Sequence, residues 1–140
     1  MTKPSISTEE QLTVLLVEYL RRNGFDVASE VPSMGQSVDV VARRRDALYL
    51  FEAKLNDWRR ALKQAKPHLL IAEFVLVVVP RKTYSREFYE LAIKSGIGVI
   101  MVDIKLATSR MIVHPRRSRM VWPPQRRQFE RNLESQPNGD

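Results

Sequence analysis

The sequence predicts an α/β domain: a mixed β-sheet flanked by helices, in the order α-β-β-β-α-β-α-β, with a short edge strand after it. Three observations lead there. Leu12, Leu15, Leu16, Tyr19 and Leu20 recur at helical spacing near the start of the chain. Two apolar runs flank the charged bend ARRRDA and read as a β-hairpin. The run FVLVVVP is apolar on both faces, the pattern of a central covered strand, and a helix-length segment separates it from a second such run.

In chain order, Ser7 can cap the first helix, with Glu10 closing a capping box. Arg21 and Arg22 suit its negative end, and Gly24 stops it. Residues 25–31 alternate as a strand, 32–36 form a loop, and 38–42 and 48–54 are the hairpin strands. Asn56 caps a second helix over 57–66, whose apolar side is Trp58, Ala61, Leu62 and Ala65, and Pro67 closes it. The strand FVLVVVP follows, then a helix over 84–94 ended by Gly96, a buried strand from Gly98 to Asp103, and the edge strand over 110–114. From Pro115 onward six arginines and four prolines crowd the sequence, too polar to bury much. The expected division is therefore a folded domain over 1–115 and a basic Pro/Arg-rich tail over 116–140, part of it packing through Met120, Val121 and Trp122 and its last few residues disordered.

Composition narrows the function. With 140 residues, 44% of them hydrophobic, the chain suits one domain with a real core. The absence of cysteine excludes disulfides, thiolate metal sites and cysteine nucleophiles. It also fits a reducing cytoplasm, and the opening MTKPSISTEEQL lacks the apolar core of a signal peptide, so a cytoplasmic location is expected. The longest apolar run, FVLVVV, is too short to span a membrane. A net charge of +7 favours a polyanionic partner, most simply nucleic acid. No Gly-Lys-Ser/Thr phosphate loop and no dedicated base-reading motif is present.

The chemistry is carried by SVDVVARRRDALYLFEAKL. Asp39 lies on the first hairpin strand, and Glu52 and Lys54 end the second. Residues two apart on a strand share a face, so Glu52 and Lys54 are expected to emerge together, and the hairpin brings Asp39 beside Glu52. Two carboxylates and an amine at a sheet edge make a divalent-metal site next to a group that handles water, the chemistry of phosphodiester hydrolysis. Solvated edge-strand charges are the bland alternative. Against it, Glu52 follows LYLF and Lys54 precedes Leu55, so both sit against an apolar strand.

These residues resemble the PD-(D/E)xK nuclease superfamily, the restriction-endonuclease-like fold, and within it small single-domain members similar to RecB-type and Holliday-junction-resolvase-type nucleases. The features that match, in order, are an acid in the first helix (Glu9 or Glu10), Gly24-Phe25 leading into the first strand, Val-Asp-Val at Asp39, Glu-Ala-Lys at 52–54, and Gln64 in the following helix. They span about residues 8–79, over half of the chain, and Gly-Ile-Gly-Val at 96–99 is similar to the late strand of small members. Ser37-Val38 stands where a proline often precedes the aspartate, and His68 stands where RecB-type members usually carry a tyrosine four residues after the glutamine.

The resemblance implies a Mg²⁺- or Mn²⁺-dependent deoxyribonuclease, more an endonuclease than an exonuclease. Asp39, Glu52 and the Ala53 carbonyl would hold the cation, and Lys54 would orient or deprotonate the attacking water. Gln64 would touch a phosphate or orient the metal site, or else be an ordinary solvent-facing glutamine. Glu9 or Glu10 would approach the metal; helical periodicity leans to Glu9, and favourable interaction with the helix dipole is the alternative for both. Arg43, Arg44 and Arg45 on the hairpin bend, with Arg59, Arg60, Lys63 and Lys66 on the second helix, could neutralise several phosphates or be a solvated face. His68 reads first as a helix-end cap, Glu30 as a polar strand-end residue, and Trp58 and Trp122 as packing rather than stacking residues. The expected partner is DNA, with a homodimer for cuts on both strands and a larger DNA-processing or defence complex as further arrangements. The competing readings are a non-catalytic DNA-binding module on the same fold and an interaction subunit using the basic tail.

Overall fold

The computed structural model describes residues 9–83 and 85–136. Three expectations fall outside them: the Ser7 cap, Tyr84 as the start of the third helix, and disorder of the last few residues. Helix α1 (Glu9–Arg22) leads into an antiparallel meander of β1 (Asp26–Ser33), β2 (Gln36–Arg44) and β3 (Ala47–Ala53). Helix α2 (Trp58–Ala65) and a 3₁₀ turn (Lys66–Leu70) cross to β4 (Phe74–Pro80). A second 3₁₀ turn (Arg81–Thr83) and α3 (Arg86–Ser95) cross to β5 (Gly98–Asp103), and β6 (Thr108–Val113) and α4 (Pro123–Glu134) complete the order.

The six strands form one sheet in the order β1-β2-β3-β4-β5-β6. The β3–β4 and β4–β5 pairs are parallel and the others antiparallel. Local chemistry fixes the connections. The β1–β2 hairpin turns on Met34 and Gly35 alone, both at positive φ (50° and 78°), so the ladder reaches Ser33↔Gln36 and the expected five-residue loop shrinks to two. Pro32 is tolerated because β1 is an edge strand. Ser85 caps α3 by accepting the Phe88 N–H, and Gly96 ends it at φ 77°. Asp57, not Asn56, caps α2, accepting the Arg60 N–H. Pro67 does not close that helix; the chain tightens there into the 3₁₀ turn, because proline is welcome in a first turn where its missing N–H leaves no gap.

The sheet is buried on both faces. Leu12, Leu16 and Leu20 of α1 cover one, against Val40, Ala42, Phe51, Leu76, Val78 and Ile100. Helices α2, α3 and α4 cover the other, packing on Leu48, Leu50 and the odd-numbered valines of β4. The alternation of β4 between the two cores is why its sequence is apolar throughout.

The end of the chain corrects the expectation of a poorly buried tail, since Pro123–Glu134 is helical. Phe129 is 1% exposed in the α2–α3 core with Leu133 beside it. Arg126 pairs with Glu73 at 2.7 Å, both largely buried, and Glu73 also accepts the Leu48 N–H. The spacing of Phe129 and Leu133 supplies one apolar stripe, enough to dock a helix that is otherwise charged. Met120 and Trp122, expected to pack, are 54% and 55% exposed, and Val121 is half-buried. Among the described residues no helix is long and apolar enough to cross a membrane.

Candidate metal-dependent hydrolytic site

The hairpin delivers the two acids as its register requires. The β2–β3 ladder runs from Arg44↔Ala47 to Val40↔Phe51 and ends one step short of Asp39 and Glu52. There the strands stop pairing through the backbone. The Ala53 N–H donates instead to Asp39 Oδ2 at 2.8 Å, so a carboxylate takes the place of a ladder carbonyl. On the other side of β2 the ladder skips the same position, between Ser29↔Val40 and Val31↔Val38, and Glu30 adopts φ 53°. Face alternation breaks with it: Val38 and Val41 lie in one core and Val40 in the other. Local distortion of this kind re-aims a side chain, and here it falls on the acid.

Glu52 is 5% exposed, unusual for a carboxylate, and it is paired. Its Oε2 stands 2.7 Å from Nε2 of His68, itself 2% exposed in the 3₁₀ turn after α2. Glu52 also acts on Asp39. Burial pushes the Asp39 carboxyl up to about 6; the Ala53 N–H opposes this, and the charge and hydrogen bond of Glu52 and the charge of Glu9 add to it. Of the two helix-one acids, Glu9 adds its charge to that upward push on Asp39.

Other expected residues stand apart from this contact. Lys54 is half-buried immediately after β3, its N–H donating to the Val78 carbonyl. Gln64 is half-buried on α2 and Glu10 is exposed on α1. Among the described residues, neither the Lys54 amine nor the Gln64 amide is hydrogen-bonded to either acid. Arg60, Lys63 and Lys66 are exposed along α2 and its end. Arg43 and Arg44 lie at the bend end of the hairpin, away from Asp39 and Glu52. Arg43 faces Glu130 at 3.7 Å, while Arg44 donates to the Asn23 carbonyl and covers the Phe25 ring. Arg59 pairs with Glu87 at 2.6 Å over the Trp58 ring, and Trp58 packs in the core.

Sequence reasoning missed His68 as a site residue. Its signal was the apolar run LLIA behind Pro67, which carries the turn inward rather than leaving the histidine at a solvated helix end. It also missed Arg81, Lys82 and Lys105. These line a groove of about 510 Å³ with Leu55, Pro80 and Asp103, at the carboxyl ends of the parallel strands, the edge where open α/β sheets bind ligands. Thr83 Oγ1 donates to the Leu55 carbonyl and holds the groove beside the Glu52–Leu55 segment.

Two carboxylates are donors of the type a hard divalent cation takes. Among the described residues, no three His, Asp or Glu side chains are grouped closely enough to hold a metal by themselves. Mg²⁺ retains several waters and takes only one or two carboxylates, so an acid pair could hold it, and a cation would offset the burial and the neighbouring charge that raise Asp39.

The chain matches no family model and no curated protein. Solved structures do match. A repair endonuclease from Pyrococcus abyssi superposes with TM-score 0.52 at 17% identity, over 74% of this chain and 50% of that one. A protein of unknown function, AF1548, superposes with TM-score 0.53 at 18% identity, over 67% of this chain and 58% of that one. An fdxN element excision controlling factor protein from Anabaena variabilis aligns over 74% of this chain and 98% of that one, at 15% identity and TM-score 0.49. The chain thus spans 50% and 58% of the length of the first two. It shares their fold, and its six-stranded mixed sheet between four helices is the architecture that the restriction-endonuclease-like resemblance implies.

Proposed function

We propose that this protein is a metal-dependent deoxyribonuclease that hydrolyses DNA phosphodiester bonds. The observation that carries the reading is the meeting of Asp39 and Glu52 from separate strands, each with one oxygen held by a protein donor and with Asp39 raised to about 6. Such a pair is costly without a cation and apt with one. Asp39 and Glu52, with the Ala53 carbonyl, would hold Mg²⁺ or Mn²⁺, whose chemistry is to acidify bound water and neutralise charge on the transferring phosphoryl group. Lys54, next along the chain, would offer its ammonium to a phosphate oxygen or to the attacking water. The cations of the adjacent groove and of α2 would track the DNA backbone, which explains a basic surface beside an acidic centre. That a repair endonuclease has this fold supports DNA as the substrate class.

The test is cleavage of plasmid and single-stranded DNA with Mg²⁺ or Mn²⁺ by the wild type, Asp39→Ala and Lys54→Ala. Metal-dependent cutting lost in both variants supports the reading. Cutting that survives in both belongs to a contaminant. DNA binding without any cutting by the wild type favours a non-catalytic DNA-binding module.

A further inference from the structure

We propose that His68 is a positioning residue: by holding Glu52 Oε2 it keeps the Glu52 carboxylate turned toward Asp39, so that the acid pair is preformed for a divalent cation. This deepens the metal-dependent reading and rests on it. The bond is 2.7 Å between two groups that are 2% and 5% exposed. That is the short range of a charge-assisted hydrogen bond.

The other ring nitrogen marks the residue as placed for this contact. Nδ1 is buried and has no hydrogen-bond partner among the described residues. A leucine would fill the volume without that loss, so packing alone does not explain a histidine here. A carboxylate oxygen has no hydrogen to give, so in this contact the Nε2–H of the ring is the donor.

Glu52 needs such a clamp. Its side chain turns about three bonds, and the neighbouring Asp39 carboxylate repels it once both are ionised. Asp39 is held by a backbone donor, the Ala53 N–H, on a rigid strand. His68 is the corresponding donor for Glu52, and the turn that carries it is itself tied down. Ser118 Oγ donates to the Leu69 carbonyl at 2.6 Å and the Trp122 N–H to the Leu70 carbonyl at 2.8 Å. Donors behind a metal-binding carboxylate orient it, and their removal typically weakens metal binding.

The experiment uses the full chain as wild type, His68→Leu and His68→Gln, with Mn²⁺ affinity measured by titration calorimetry and thermal unfolding followed in EDTA. His68→Leu should lower Mn²⁺ affinity about 10- to 100-fold, and His68→Gln, which restores a donor, should recover most of it. A folded His68→Leu that binds Mn²⁺ within about twofold of the wild type overturns the inference, as does a His68→Gln as weak as His68→Leu. If His68→Leu does not fold, His68→Phe fills the ring's volume without a donor and makes the same comparison. A wild type that binds no Mn²⁺ fails differently: it removes the metal-dependent reading, and this inference with it.

Discussion

Replacing Asp39 with asparagine should stabilise the metal-free protein while abolishing cation binding. Asparagine keeps an oxygen for the Ala53 N–H and offers Glu52 an amide donor where the wild type offers a second negative charge. The Asp39 carboxyl is raised from its ordinary 3.8 to about 6 by burial and by Glu52 and Glu9. At about 1.4 kcal/mol per pH unit the difference corresponds to about 3 kcal/mol, which partial exposure to solvent reduces to roughly 1–2 kcal/mol. For a domain of this size that is a rise in Tm of roughly 3–8 °C. The sign depends on pH. A raised carboxyl contributes stability that is fully present below its unfolded value and lost as pH rises through its folded value, here between about 4 and about 6. The advantage of Asp39→Asn in EDTA is therefore largest above about pH 6 and fades toward pH 4. Thermal unfolding by circular dichroism across that range measures it. A variant no more stable than the wild type at neutral pH, or equally stabilised at every pH, refutes the electrostatic reasoning.

The remaining predictions concern the frame and the surface. Phe129→Ala should cost about 3–5 kcal/mol in denaturant unfolding, because the side chain is 1% exposed and anchors α4. Glu73 is pushed up by burial, but hydrogen bonds from Arg126 and the Leu48 N–H, with the Arg126 charge, bring it net below the ordinary carboxylate value. Its contribution is present above that ordinary value and lost as pH falls through the folded one, so Glu73→Gln should be less stable near neutrality and flatten the acid limb of the stability curve. Replacing Arg60, Lys63 and Lys66 together with alanine should reduce the slope of log K against log salt for DNA binding by roughly 2–3, read from fluorescence anisotropy at several salt concentrations.

Much of the fold is local and therefore legible. Helical spacing from Leu12 to Leu20 marks α1, and the two-sided apolar run of β4 marks the covered centre of the sheet. Asp39 and Glu52 could be paired from sequence because a hairpin is a local structure whose bend sets the register. What local pattern does not encode is what a side chain meets after the chain has folded back. His68 looks like a helix-end cap because its partner lies on β3, remote from its turn, and α4 looks like a tail because arginine and proline outweigh Phe129 in any window. The sequence determined the order of elements and the acids that the hairpin brings together, since these follow from the two- and 3.6-residue periods and turn chemistry. Only the tertiary structure decided that Glu52 is buried against a histidine, that burial pushes the Asp39 carboxyl up, and that Arg43 and Arg44 lie at the far end of the hairpin. Those outcomes depend on desolvation and distance, which arise only when helices and strands remote in the chain close over one another.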